Sequence, residues 1–281
     1  MATLAPGGTL LERLQRTRAV RGLGVMWNVT FALIMRESRT RHGTSDLGYA
    51  WALLEPLIQL LVLWAVYSML SRHVPIAASM PVFLVTGIIP FHFWADCVRR
   101  GAAAIHSNLP LLTYPQVRPF DVILSRTILE AATTATVILI FIVGLKILYG
   151  EPLSSWVDEP LLEVEAVMAL FYFGLSCSYF SAGISRLFPP WDSLFGYLSR
   201  PLWFTSGIFF TLQSLPNGVK GYATINPVAH MLEWLRSATL PGFESESYSR
   251  VYVLSFATVV LLIGLGVDRL LTIIGHTDQS H

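Results

Sequence analysis

Charged residues are scarce in this sequence, and cysteine is nearly absent. Only 13% of the 281 residues are charged and only two are cysteines, whereas an average globular domain has about 25% charged residues. Cys97 and Cys177 both lie in apolar stretches. We therefore expect no structural disulfide and interpret both thiols as packing groups. This composition excludes an ordinary soluble domain.

The sequence also lacks the short motifs of common enzyme classes. No G-x-x-x-x-G-K-[ST] string occurs, which excludes nucleotide binding through a P-loop. There is likewise no H-E-x-x-H, no Cys/His cluster with zinc spacing and no G-x-S-x-G. The histidines do not pair at ligand spacings; they are His42, His73, His92, His106, His230, His276 and His281. We therefore expect no catalytic, cofactor or metal site in this chain, so any energy it uses comes from a partner chain or an ion gradient.

Long apolar stretches are what the sequence has in abundance. Hydrophobic residues make up 53% of the chain, and the mean hydropathy is +0.57. A helix of about 20 apolar residues crosses the roughly 30 Å hydrocarbon core of a bilayer, and the period-two alternation of a membrane barrel is absent. Six stretches have this length: Tyr49–Leu70, Ile76–Val98, Val122–Leu148, Leu161–Ile184, Ser193–Leu212 and Val251–Ile274. The sequence predicts an all-α integral membrane protein with six transmembrane helices.

The positions of the basic residues predict the orientation in the membrane. Arginine and lysine gather in cytoplasmic segments. Seven arginines precede the first stretch, namely Arg13, Arg16, Arg18, Arg21, Arg36, Arg39 and Arg41, whereas the segment after the third stretch is acidic. Both termini are therefore predicted to be cytoplasmic, as an even number of spans requires. Residues 1–24 contain four arginines and no apolar core, so we expect no cleavable signal peptide.

The N-terminal region, residues 1–48, is predicted to be a cytoplasmic unit ahead of a six-span domain at residues 49–281. Thr9-Leu-Leu-Glu12 fits a capping box that begins a short helix, and Val25–Met35 is apolar but too short to span. We expect an amphipathic helix in the membrane interface, where the flanking arginines meet lipid phosphates. The alternatives are a signal-anchor remnant or disorder.

The segment between the fifth and sixth stretches, roughly Gln213–Arg250, is long and still apolar. Asn226-Pro227 can begin a helix, because Asn caps a helix and Pro suits its first turn. Apolar residues then recur at helical spacing, at Val228, Met231, Leu232 and Leu235. We predict a re-entrant helix that dips into the periplasmic side of the membrane, where it is tolerated because it packs on protein. An ordinary periplasmic surface helix is the alternative.

Three segments resemble a known transporter family. Residues Arg39 to Pro56 read R-T-R-H-G-T-S-D-L-G-Y-A-W-A-L-L-E-P, which is similar to the string that leads into the first span of type-2 ABC exporter permeases, especially those for capsular polysaccharide. Asn108–Pro119 is a looser match to the cytoplasmic loop that meets the ATPase. The other match, to the family pattern S-G-I-F…L-P…N-P…E-x-x-R, consists of Ser206-Gly207-Ile208-Phe209, Leu215-Pro216, Asn226-Pro227, Glu233 and Arg236.

The resemblance implies a homodimeric permease with six spans in each chain. It implies two separate ATPase subunits that bind ATP and magnesium, and partners that carry a lipid-linked polysaccharide through the periplasm and outer membrane; no nucleic acid is involved. The loop that docks on the ATPase would include Arg99, Arg100, His106, Asn108, Tyr114 and Arg118.

The expected function is export of lipid-linked capsular polysaccharide across the bacterial inner membrane. The alternatives within transport are another lipid-linked polymer, such as O-antigen or teichoic acid, or a small drug. The alternative from a different class is an integral-membrane transferase, which usually needs an acidic pair or a His–Asp site that is not evident in this sequence.

Two polar stripes inside the predicted spans suggest a substrate path, because polar groups in a bilayer are costly and usually face protein or water. Guanidinium groups bind carboxylates and phosphates, and aromatic faces stack on sugars, so such stripes suit an acidic polysaccharide. Residues four apart share a helical face. The path residues predicted in the first and fifth spans are Trp51, Glu55, Gln59, Trp64, Tyr67, Tyr197, Arg200 and Phe204.

Several of these side chains have an alternative interpretation. Trp64 and Tyr67 lie near one end of their span and could belong to an interfacial aromatic belt. Arg200 could form a structural ion pair with Glu55 or Glu130. Glu130 itself could instead be neutralised by Arg126, four residues earlier on the same helix.

Overall fold

The computed structural model describes residues 10–41, 46–70, 79–149 and 159–278. Over these ranges the chain is helical and contains no strand, which confirms the predicted all-α class. Short 3₁₀ turns occupy His106–Asn108 and Leu212–Ser214. The α-helices are α1 (Leu10–Arg41), α2 (Asp46–Met69), α3 (Met80–Ala104), α4 (Pro119–Tyr149), α5 (Pro160–Leu187), α6 (Trp191–Thr205), α7 (Asn217–Ala223), α8 (Pro227–Thr239) and α9 (Arg250–Asp278).

Four of the described helices are long and apolar enough to cross a membrane. They are Met80–Ala104, Pro119–Ile147, Pro160–Leu187 and Arg250–Ile274, and they coincide with the second, third, fourth and sixth predicted stretches. Within the described side chains of α2, the apolar segment is Leu53–Met69, which is shorter than these four helices.

The fifth predicted stretch, Ser193–Leu212, is not one continuous helix. Helix α6 has 15 residues and ends at Thr205, which gives it a length of about 22 Å. The chain then turns at Gly207, whose φ of +80° is a left-handed conformation that favours glycine. The prediction of a continuous fifth span was therefore wrong, because apolarity alone does not reveal a glycine turn.

Helices α3 and α5 form the centre of the molecule. Every residue from Pro81 to Phe91 is buried, so α3 is covered on all sides at that level. A Cβ atom added to Gly101 of α3 would lie 2.4 Å from the carbonyl oxygen of Ser178 in α5, which shows how closely the two backbones approach. Helix α9 packs on α5, while its outer face exposes apolar side chains such as Leu262.

Helix α1 is longer than predicted. It is one helix of 32 residues that continues through Gly22 and Gly24, so the prediction of a short helix followed by a separate apolar segment was wrong. Leu33 packs in a core cluster with the start of α4, while Trp27 and Phe31 are exposed. The placement of α1 in a membrane interface stays a prediction.

The helix ends meet in two layers, which we name the α1 end and the α8 end. At the α1 end, the end of α3 and the start of α4 lie beside α1, and Arg186 of α5 forms an ion pair with Asp268 of α9 at 2.7 Å. At the α8 end, Arg250 of α9 forms an ion pair with Glu165 of α5 at 3.0 Å. The two layers are separated by the length of α3, α4, α5 and α9.

Candidate functional site

A polar cavity of about 440 Å³ lies between α2, α3, α4 and α6. Charged groups inside a membrane domain are expensive and mark functional sites or protein-facing paths. All four helices contribute charged side chains to the cavity: Glu55 from α2, Asp96, Arg99 and Arg100 from α3, Glu130 from α4 and Arg200 from α6. This cavity is the candidate functional site.

The charges contributed by α3 are paired. Arg99 forms an ion pair with Asp96 one turn earlier, and Arg100 forms one with Glu130 across the α3–α4 contact. The predicted pairing of Arg126 with Glu130 is therefore wrong. Arg126 instead binds Glu37 of α1 at 3.1 Å and donates to the backbone carbonyl of Arg100 at 2.9 Å. The tertiary contacts of α4 with α1 and α3 override the pairing within one helix.

Arg200 lies in the same cavity as both carboxylates proposed as its partners. Its side chain is exposed, and among the described residues it forms no ion pair with Glu55 or Glu130. Glu130 is already bound by Arg100. The Arg200 guanidinium therefore faces the cavity without a carboxylate partner in the described part of the chain.

Four of the eight predicted path residues meet in this cavity, namely Glu55, Gln59, Arg200 and Phe204. Sequence spacing had placed them on two separate helices, and the fold brings these helices to opposite sides of one space. Their role as a substrate path stays a prediction.

The other four predicted path residues lie elsewhere. The Tyr67 ring stacks on Phe209 with centroids 6.3 Å apart, and Trp64 packs partly buried against the core. Tyr197 is 69% exposed and does not line the cavity. The side chain of Trp51 lies outside the described residues.

His92 is a cavity residue that sequence reasoning missed. Its Nε2 lies 2.6 Å from Oε1 of Gln59, which links α3 to α2, and its ring lies 5.1 Å from that of Trp203 in α6. The signal was present, because His92, Asp96 and Arg99 recur at spacings of four and three and so share a helical face. Among the described residues, no group of three or more His, Cys, Asp or Glu side chains is placed to hold a metal ion.

The predicted ATPase-docking residues divide into three groups. Arg99 and Arg100 belong to α3 and line the cavity, because α3 runs on to Ala104 rather than ending at Val98. Asn108 is buried and accepts a hydrogen bond from Arg36 at 2.8 Å. The other three predicted docking residues, His106, Tyr114 and Arg118, are exposed in the α3–α4 loop.

A second arginine, Arg236 in α8, is held in a different way. It is fully buried, and its guanidinium donates to the backbone carbonyls of Gly207, Ile208 and Phe210. Its central carbon lies 4.1 Å from the centroid of the Phe83 ring, a cation–π contact. We call these contacts the Arg236 brace.

The neighbouring residues of the same sequence string are also structural. Asn226 caps α8 by accepting from the backbone N–H of Val228 at 3.0 Å, which confirms the predicted helix start, and it donates to Ser206 Oγ at 2.9 Å. The Glu233 carboxylate accepts from Ser245 Oγ at 2.8 Å and from the backbone N–H of Leu212 at 3.3 Å. Together with the Arg236 brace, these bonds fix the irregular backbone that follows α6.

Comparison with known proteins identifies the family. Residues 28–240 match the family model of the ABC-2 type transporter. The chain belongs to this family. The match extends from the second half of α1 to the end of α8 and so includes all four walls of the cavity. The resemblance inferred from the three sequence segments is therefore confirmed.

Relatives of this ABC-2 transporter chain cover nearly its whole length. It is 34% identical to the polysialic acid transport protein KpsM of Escherichia coli over 240 residues, 85% of this chain and 91% of KpsM. It is 30% identical to the capsule polysaccharide export inner-membrane protein CtrC of Neisseria meningitidis serogroup B over 258 residues, 90% of this chain and 94% of CtrC. The capsule polysaccharide export inner-membrane protein BexB of Haemophilus influenzae is 28% identical over 259 residues, 89% of this chain and 93% of BexB.

Proposed function

We propose that this chain is the membrane-spanning permease of an ATP-driven exporter that moves lipid-linked capsular polysaccharide across the bacterial inner membrane. The names of KpsM, CtrC and BexB support this substrate class. The observation that carries the proposal is the cavity between α2 and α6, in which the Arg200 guanidinium and aromatic rings face a shared polar space.

The cavity chemistry suits an acidic sugar polymer. A guanidinium binds carboxylates and phosphates through paired N–H donors, and Arg200 is placed to offer such donors. The rings of Trp203 and Phe204 in the cavity wall present apolar faces on which the C–H surfaces of sugars stack. The carboxylate of Glu55 can accept hydrogen bonds from sugar hydroxyls.

Two copies of the chain complete the path in this proposal. A cavity of about 440 Å³ is too small for an extended polymer, and α2 and α6, which form two of its walls, leave Ile58, Leu61 and Tyr197 exposed. A homodimer related across these two helices would join the two cavities. Within each chain, α2 and α6 add two crossings to the four candidate spans and give the six-span domain, residues 49–281.

The fifth crossing combines α6 with the irregular segment after it. Non-helical backbone is tolerated at membrane depth only where protein satisfies its polar groups, and the Arg236 brace binds three of these carbonyls. Helix α8 would then be the re-entrant element on the periplasmic side. The α1 end and both termini would lie in the cytoplasm, as the distribution of arginine predicts.

The ATPase subunits would dock at the α1 end, on the exposed surface of the α3–α4 loop. The ATP and magnesium belong to these subunits, and this chain needs no cofactor of its own. Tyr114 is 58% exposed, and Arg118 is also exposed, four residues further along the same loop. A Tyr114→Ala, Arg118→Glu variant should lose most of the co-purifying ATPase, whereas Lys220→Ala at the α8 end is the matched control. Equal ATPase recovery from both variants would contradict docking at this loop.

The proposed function is tested in a capsulated strain whose own permease gene is deleted. Expression of this chain with its partner ATPase should restore polymer at the cell surface, measured with a polymer-specific antibody on intact and permeabilised cells. Polymer that stays inside the cell would contradict capsule export. If the chain instead complements an O-antigen permease deletion, O-antigen is its substrate. Sugar or acyl transfer by the purified chain without an ATPase would favour a transferase.

Periplasmic and outer-membrane export proteins are the remaining partners in this proposal. They would receive the polymer at the α8 end, opposite the ATPase, where α7 leaves Val219 and Tyr222 exposed.

A further inference from the structure

A second space in the protein is lined almost entirely by apolar side chains. This groove of about 310 Å³ lies between α3, α4 and α5 and is closed at one end by α8. Its floor includes Ala131, Ala135 and Ile138 of α4, and Met168, which is 62% exposed, stands at its open side. Because α3, α4 and α5 are candidate membrane spans, the open side faces the hydrocarbon of the bilayer rather than water.

The length of the groove matches one leaflet of a membrane. Along α4 it extends from Ala131 to Ile142, which is about 16 Å at 1.5 Å per residue. Half of the roughly 30 Å hydrocarbon core is about 15 Å. The groove therefore reaches from the α8 end to about the middle of the membrane, the depth that one lipid acyl chain occupies.

A carboxyl group stands at the α8 end of this groove. Glu163 lies in the first turn of α5 and lines the groove, and its Oε2 accepts a hydrogen bond from Thr239 Oγ1 at 2.9 Å. Among the described residues, no Lys, Arg or His forms an ion pair with it. Glu165, two residues further on, is paired with Arg250. An amine at the mouth of the groove would complement the negative charge of Glu163.

The groove also shares a wall with the polar cavity. Ile89 and Phe93 of α3 and Thr134 of α4 line both spaces. An acyl chain that fills the groove would therefore pack against the cavity wall from the side that faces the lipid.

We propose that this groove binds one acyl chain of a phospholipid from the leaflet at the α8 end, and that Glu163 receives the ammonium group of that lipid's headgroup. The apolar lining and the one-leaflet depth are complementary to an acyl chain. The unpaired carboxylate at the mouth attracts an amine headgroup and repels an anionic one.

The acyl-chain site is tested by lipid retention. The intact transporter is purified in mild detergent after reconstitution in equal amounts of phosphatidylethanolamine and phosphatidylglycerol, and native mass spectrometry counts the lipids that remain bound. Ala135→Phe fills the groove and should lower the number of retained lipids about tenfold. Ala131→Leu adds less volume and should lower it by a smaller factor. Ala132→Phe is the matched control, because Ala132 is exposed on the same helix and does not line the groove.

The headgroup contact is tested by selectivity. The parent protein should retain phosphatidylethanolamine in preference to phosphatidylglycerol. Glu163→Gln should lower this preference about threefold to fivefold, which corresponds to at most about 1 kcal/mol of binding free energy. Glu165→Gln should leave the preference unchanged, since Glu165 does not line the groove. Thermal unfolding of each variant shows that its fold is intact.

Three outcomes would overturn the proposal. One is equal retention by Ala135→Phe and Ala132→Phe. Another is an unchanged headgroup preference in Glu163→Gln. The last is retention of the polymer's own lipid anchor instead of a phospholipid when the protein is purified from polymer-producing cells. Because the readout is bound lipid and not export, this proposal can fail while the export function stands, and the reverse also holds.

Discussion

Arg200 and Arg236 are two arginines of one membrane domain in opposite circumstances. Arg236 is fully buried and binds three backbone carbonyls. Arg200 is exposed in a cavity beside Glu55 and Glu130 and, among the described residues, is paired with neither. A charge whose donors are used by the backbone stabilises the fold. A charge that faces an open space is available to a ligand.

The comparison also distinguishes the family string around α8 from the residues that line the cavity. Asn226, Glu233 and Arg236 belong to the sequence string that resembles type-2 ABC exporters, and all three bind other parts of the same chain. The string is therefore a signature of the fold around α8. The residues that face the cavity lie mostly outside it.

The largest effect is expected for Arg236→Met. This change leaves three carbonyls without donors, two of them in buried hydrogen bonds, and breaking a buried charged network costs about 3–5 kcal/mol. The variant should fail to accumulate in the membrane or should unfold at a much lower temperature. A stable Arg236→Met protein would show that water or another side chain can satisfy the irregular backbone.

Arg200→Ala should instead leave the fold intact and lower export about tenfold, equivalent to about 1.4 kcal/mol. Arg200→Lys should restore export only in part, because it loses the planar fork of donors. The measurement is surface polymer at equal membrane abundance, with exposed Arg269→Ala on α9 as the control. If Arg200→Leu exports as well as the parent, the arginine neither contacts the polymer nor pairs with a carboxylate.

Gly207→Ala examines the turn that the Arg236 brace holds. Its φ of +80° is a left-handed conformation that costs a non-glycine residue about 1–2 kcal/mol, so the unfolding temperature should fall by several degrees. Gly266→Ala, in α9 with open space around it, is the control and should be neutral or slightly stabilising. Equal unfolding temperatures for the two variants would mean that the turn relaxes without strain.

The smallest effect is expected for Arg250→Gln at the α8 end. Arg250 and Glu165 are both substantially exposed, and an exposed ion pair contributes at most about 1 kcal/mol and is screened by salt. Neither export nor membrane abundance should change measurably. A large loss of export or of membrane abundance would show that the structure at the α8 end depends on this surface ion pair as well as on the Arg236 brace.

The sequence predicted most of the fold and four of the residues that line the cavity. Apolar length located the four long spans, and the Asn-Pro pair located the start of α8, because both signals are local. The break after Thr205 and the ion pairs Arg100–Glu130 and Arg126–Glu37 depend on which helices become neighbours. His92 was missed for a related reason: its helical face is readable, but its approach to Gln59 and Trp203 requires the tertiary arrangement.

Helices α3 and α5 are too close together to slide past each other. The Gly101 backbone touches Ser178, and Ser185 Oγ of α5 donates to the carbonyl of Ala102 in α3 at 2.8 Å. Helix α9 is held in the same way, since a Cβ on Gly264 would lie 3.0 Å from the backbone of Phe180. These three helices form a rigid frame. Any widening that admits a polymer therefore has to come from movement of the other cavity walls, α2, α4 and α6, relative to that frame, and distances measured within the frame should stay constant through the transport cycle.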